Sequence, residues 1–212
     1  MSIESSKAAP MTLTQLRPDQ AEAECVGALT NRGFNMTTYS GKPFWPFDPR
    51  PEDFRIFDIA HSLANICRFN GHTKEFYSVA QHCVHGSYEI ERAFAFEFLM
   101  HEVEEAYTGD MIRPIKYLPT MTGFRNIQNK IDAVSRRKFG LPEKMSPEVK
   151  IADNRMCWTE KRDLLLNQQD IDWGTPIEPY ERRIKAISPL EAKWAFIDRF
   201  KELLGPIAPE FF

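Results

Sequence analysis

Apolar and polar positions alternate with helical periodicity over most of the chain. Phe54, Phe57, Ile59/Ala60, Leu63/Ala64, Ile66 and Cys67 recur at a helical spacing, which predicts a helix over 54–69 ended by Asn70–Gly71. A second amphipathic segment, 73–91, carries His82 and His85. The run FAFEFLM (94–100) passes directly into HEVEEAYT and stops at Gly109, predicting one central helix with a polar end. Residues 124–139 (Ile127, Ile131, Val134, closed by Gly140) form a further helix. Ser146–Pro147 opens one that runs to about Gln168, with Ser146 as the cap residue. Ser188–Pro–Leu–Glu191 is a capping-box signature for a last helix, stopped at Gly205–Pro206. The exceptions are few. β-formers flank Ser40–Gly41–Lys42 in 34–47, a short hairpin whose second strand Pro43 and Pro46 confine to an edge. Residues 110–119, with two prolines, read as a loop. The fold class is therefore all-α with a small N-terminal β-hairpin.

Residues 1–10 read as a loose arm, and 11–29 have weak helical spacing. This leaves an N-terminal arm (1–33), a single domain (34–205) and a C-terminal tail (206–212). With 212 residues the chain can bury a sizeable core. A net charge of −3 indicates no general affinity for a nucleic acid polymer or an anionic membrane. The basic clusters Arg136–Lys138 and Arg182, Arg183, Lys185 are short enough to be solvated helix faces. No apolar run is long enough to span a membrane. Four scattered cysteines without a C-x-x-C pair suggest free thiols in a reducing cytoplasm. Sixteen phenylalanines and an apolar end (Phe211, Phe212) make a homo-oligomer the expected state.

The chemistry concentrates at 101–105. On a regular helix His101 and Glu105, and Glu102 and Glu105, share a face, where unpaired buried charge needs partners or a metal. Asp153 lies on the apolar stripe of its helix with Val149 and Met156, so it too needs a cation, from an arginine or a metal. His82, His101, Glu102 and Asp153 together form a mixed nitrogen–oxygen set suited to Mn, Co, Fe, Ni or Zn rather than to an all-oxygen cage.

YSVAQH (77–82), MHEVEEAYTGD (100–110) and VKIAD (149–153), with DIAHSLANICRFNGH (58–72) and RPIK (113–116), resemble the HD-domain phosphohydrolases. The resemblance covers about 58–166 and is strongest to the 5′-deoxynucleotidase branch, particularly its phage- and prophage-borne members. It implies an HD-domain helical bundle holding one divalent transition metal through His82, His101, Glu102 and Asp153, with Glu105 as the catalytic carboxylate. It also implies that Arg68 binds phosphate, Phe69 lines the sugar pocket and Asp110 meets the sugar hydroxyl. The plainer readings are an Arg68 paired to a helix acid and an Asp110 capping a turn. Two positions depart from the family pattern: Glu102 stands where aspartate is usual, and Phe69 where tryptophan is common. The expected activity is removal of phosphate from a (deoxy)nucleotide, a dNMP foremost. The alternatives are a dNTP triphosphohydrolase, or a nucleotide-binding module in which Glu102 has weakened the metal.

Overall fold

In the computed structural model, which describes residues 29–167, 171–206, 208 and 211, most of the chain is helical. The readings for 1–28 and Phe212 lie outside the described residues.

Two short antiparallel pairs come first. β1 (Leu29–Thr30) pairs with β2 (Gly33–Phe34), and β3 (Met36–Thr37) pairs with β4 (Pro43–Phe44) in the register Met36↔Phe44, Thr37↔Pro43. The second pair is the expected hairpin, turned through Gly41 at φ 76. Buried Asp58 accepts hydrogen bonds from the Thr38 and Ser40 hydroxyls and the Ser40 amide, which fastens the hairpin to α1 (Ile56–Asn65).

The remaining helices are α2 (Val79–Glu89), α3 (Arg92–Met100), α4 (Glu105–Thr108), α5 (Arg113–Lys116), α6 (Thr122–Phe139), α7 (Pro147–Leu164) and α8 (Pro189–Leu204). α2 is the centre of the packing, in contact with α1, α3, α7 and α8. It starts where the Ser78 side chain accepts from the Gln81 amide. It is buried nearly all round, so its polar groups must be satisfied internally. Gln81 donates to the Lys185 carbonyl and accepts from the Ile187 amide, and Ser87 accepts from Arg199. Gly86 lets α3 lie against α2. A Cβ there would stand 2.0 Å from Phe98 Cε1, so the contact admits no larger residue.

Several expectations need correction. The 54–69 helix is shorter: α1 ends at Asn65, and Arg68–Gly71 is a tight turn with Phe69 (φ 53) and Asn70 (φ 49) in the left-handed region. The single central helix is broken between α3 and α4. His101 Nδ1 donates to the Phe98 carbonyl at 2.6 Å, taking the acceptor that the Glu102 amide would use in a continuing α-helix. The following amides bond three residues back, as in Glu105 to Glu102, and the chain tightens. Ser146 does not cap α7 through its hydroxyl, which donates instead to buried Glu97. Part of the 110–119 loop is the helical turn α5. Arg136 is not solvated: it is 1% exposed and paired with Glu97 and Asp132. Arg182, Arg183 and Lys185 lie outside any helix, in a segment tied to α7 by Arg183–Asp163 and by the Ile184 amide on Asp163. Phe211 stacks on Phe139 and meets Phe200, so this ring is engaged within its own chain. Cys67, Cys83 and Cys157 are free. Among the described residues no helix is long and apolar enough to cross a membrane.

Candidate metal centre

The break after α3 makes the site. His101 ends α3 and Glu102 starts the tightened turn, while α2 supplies His82 and α7 supplies Asp153. Phe98 packs against both imidazoles, its ring centroid 5.7 Å from His82 and 4.6 Å from His101.

The two rings are anchored through their Nδ1 atoms. His82 Nδ1 lies 2.6 Å from Glu160 Oε1, and His101 Nδ1 lies 2.6 Å from the Phe98 carbonyl. An Nδ1 facing a carboxylate or a carbonyl carries the proton, which turns Nε2 of each ring toward the other donors. The two Nε2 atoms stand 3.4 Å apart. Asp153 Oδ1 is 3.5 Å from the first and 3.9 Å from the second, and Glu102 Oε1 is 3.3 Å from His101 Nε2. All four donors lie within 4.8 Å of one another. An ion with bonds of about 2.1 Å separates its neighbouring donors by roughly 3.0–3.4 Å. The separations of 3.3, 3.4 and 3.5 Å are close to that spacing and the others are wider, so the cluster has the donor types of a single-ion site and could hold one ion, with Glu102 within reach despite its extra methylene. The outer hydrogen bonds to Glu160 and Phe98 are those that orient histidine ligands in metal sites.

Without a cation the charges lean on each other. Burial works against an imidazolium at His101, yet Glu102 and Asp153 raise its pKa well above the usual range. Burial would likewise raise Glu102, but His101 pulls it down to about 2. Asp153 is held well below the carboxylate range against its burial by His101, His82 and Lys150. Its outer oxygen, Oδ2, takes Lys150 at 2.9 Å and Arg113 at 3.3 Å, so the arginine partner considered from the sequence exists beside the candidate metal ligands.

Glu105, the expected catalytic carboxylate, is 3% exposed and its Oε2 has no hydrogen-bond partner. Burial, then Glu102 and Asp110, push its pKa well above normal, against the pull of Lys116, whose Nζ is 3.7 Å from Oε1. Glu104 is a second buried acid with an unpartnered Oε2, pushed up to about 8 by burial, Glu102 and Asp132. Arg68 is buried and donates through Nε and Nη2 to Glu160 Oε2 at 3.2 and 2.9 Å. It is thus paired to a helix acid, while its charge is also felt at Asp110. Asp110 is half-buried, in the field of Arg68, Glu102, His82 and Lys116. Phe69 lies beside Arg68, its ring centroid 5.5 Å from the guanidinium carbon.

The residue that sequence reasoning missed is Glu160, fully buried and bonded to both His82 and Arg68. It stands seven residues after Asp153 on α7, hence on the same face, and extending the Val149–Asp153–Met156 stripe by one turn reaches it. Lys150 and Arg113 were also missed, although they lie in VKIAD (149–153) and RPIK (113–116).

No family model matches the chain. Two curated proteins are similar to it. One is a Rhodobacter capsulatus protein, RCAP_rcc00048, 34% identical over 126 residues that cover 53% of this chain and 62% of that protein. The other is YfdR of Escherichia coli (strain K12), 44% identical over 172 residues. Both are named as uncharacterized proteins, so they carry kinship without an activity. The YfdR alignment takes in 79% of this chain and 94% of YfdR, and on that extent the chain belongs to the YfdR family.

Proposed function

We propose that the chain is a metal-dependent phosphohydrolase of the HD-domain type that removes phosphate from a (deoxy)nucleotide, a dNMP foremost. The observation that carries this reading is the convergence of His82 Nε2, His101 Nε2, Glu102 and Asp153 beside the unpartnered oxygen of buried Glu105. The four residues would hold one divalent transition ion. When bound, such an ion supplies charge neutralisation at a phosphoryl oxygen and acidifies water.

The side chains divide the remaining work. Glu105 offers an oxygen with no competing bond, in a buried setting that raises its proton affinity, which suits a base that takes a proton from water. Glu160 fixes Arg68 through Nε and Nη2, leaving Nη1 without a bond among the described residues and ready for a phosphate oxygen. Lys116 beside Glu105 and Arg113 beside Asp153 add positive charge at the edge of the cluster. Phe69 would border the sugar and Asp110 would accept from a sugar hydroxyl.

The test is product analysis with the Mn- or Co-loaded protein on dAMP and dATP. Inorganic phosphate from dAMP is expected, and Glu105→Gln should lower the rate by about 10²–10⁴-fold while metal binding persists. Triphosphate from dATP with no action on dAMP would reassign the substrate. No product from either, with metal bound, would overturn the reading.

A further inference from the structure

The turn at Arg68–Gly71 places three successive residues, Phe69, Asn70 and Gly71, at positive φ, two of them not glycine. Such a run is unfavourable for side-chain-bearing residues and persists only where its surroundings hold it. Its effect is to keep Arg68 buried with Glu160 while Phe69 is only half-buried. From there an aromatic series continues on another part of the chain. The Trp173 ring lies 6.2 Å from Phe69, and Trp158 of α7 meets Trp173 edge-on at 6.1 Å. Lys161 sits 4.7 Å from both indoles and donates to the Ile171 carbonyl, which pins the Trp173 segment to α7. The indoles are not sealed in: with Lys74, Leu165 and Pro176 they line an open cleft of about 740 Å³.

Arg68, buried within the field of Glu102 and Asp153, is thus followed at 5.5 Å by the Phe69 ring and Phe69 at 6.2 Å by the Trp173 ring, both rings being only half-buried. Phosphate, sugar and base follow one another along a nucleotide at similar intervals. We propose that Trp173, braced by Trp158 and Lys161, is the stacking platform for the nucleobase and sets the preference for nucleotides over simpler phosphate esters. This rests on the hydrolase reading for its phosphate end. Stacking on an aromatic side chain accepts any base and strengthens binding by about 5- to 150-fold. The platform therefore selects for the presence of a base rather than for its identity.

The experiment compares dAMP with 2-deoxyribose 5-phosphate, which lacks the base, by calorimetric binding and by phosphate release. It uses the full chain as wild type, Trp173→Ala and Trp173→Phe. The wild type should bind dAMP about tenfold or more tighter than the sugar phosphate. Trp173→Ala should reduce that ratio to near one with sugar-phosphate affinity unchanged, and Trp173→Phe should keep most of it. An unchanged ratio in Trp173→Ala, equal losses for both ligands, or no ratio in the wild type overturns the proposal. Base-dependent binding without phosphate release would sink the hydrolase reading and leave the platform standing. Release at equal kcat/KM from both ligands would do the reverse.

Discussion

Replacing Glu160 by glutamine keeps the side chain's size and removes its charge, at a point where two functions meet. The carboxylate is fully buried, with Oε1 on His82 and Oε2 on Arg68. Burial opposes its ionisation, but Arg68 and His82 more than offset this and hold its pKa below the usual value. In Glu160→Gln the guanidinium of Arg68, only 8% exposed, loses its counter-charge and faces an amide. Breaking a buried pair from one side costs about 3–5 kcal/mol. For a chain of this size that lowers Tm by roughly 6–20 °C, measured in chelator so that metal does not contribute. The His82 ring also loses its anionic partner, and weakening such an outer contact typically reduces metal affinity by about 10–100-fold. The two effects separate in the double variant Glu160→Gln/Arg68→Met. Removing the orphaned cation should restore part of the stability and none of the metal affinity. Wild-type Tm and wild-type Mn or Co affinity in Glu160→Gln would refute the assignment of Glu160 as the bridge between ligand and phosphate-binding arginine.

Other perturbations probe the scaffold. Gly86→Ala forces its methyl into the Phe98 ring, which is fully buried against the two histidines. Overpacking of about 1–3 kcal/mol or more outweighs the gain of about 1 kcal/mol in helix propensity, so urea unfolding should show a net loss and metal affinity should fall with it. His85 is neutral in the fold: burial and then Arg182 lower its pKa from 6.5 to about 4. The unfolded chain protonates first as pH falls, so stability is lost between about pH 6.5 and 4, by up to about 3 kcal/mol. His85→Gln should flatten that acid limb, and an identical pH profile would contradict the burial argument. Ser188→Ala removes a cap that accepts from the Glu191 amide and should cost α8 about 1 kcal/mol in urea unfolding.

The helical class was legible because apolar spacing is a local property, and so was the hairpin around Gly41. Asp153 could be picked out because a carboxylate on an apolar stripe demands a partner, His101 and Glu102 because they end an apolar run, and His82 through the resemblance of its motif to the HD-domain phosphohydrolases. What local pattern could not supply is how the chain departs from regularity. The hydrogen bond from the His101 ring to the Phe98 carbonyl ends α3 early, and no propensity encodes it. Ser146 has cap chemistry, yet Glu97, distant in sequence, takes its hydroxyl. Arg136 looked solvated beside Arg137 and Lys138 because the carboxylate of Glu97 that buries it comes from another helix. Glu160 was within reach, on the same stripe as Asp153. Trp173 was not, since only the folded chain brings residue 173 to the ring of Phe69.

The most direct measurement is a metal titration of the chelator-stripped protein with Mn and Co, followed by calorimetry and Co absorption, in wild type, His101→Gln and Asp153→Asn. One ion per chain in the wild type is predicted, with at least about a 100-fold loss of affinity in each variant. Absence of binding in the wild type, or binding that survives both substitutions unchanged, would contradict the claim that these side chains close on a single ion.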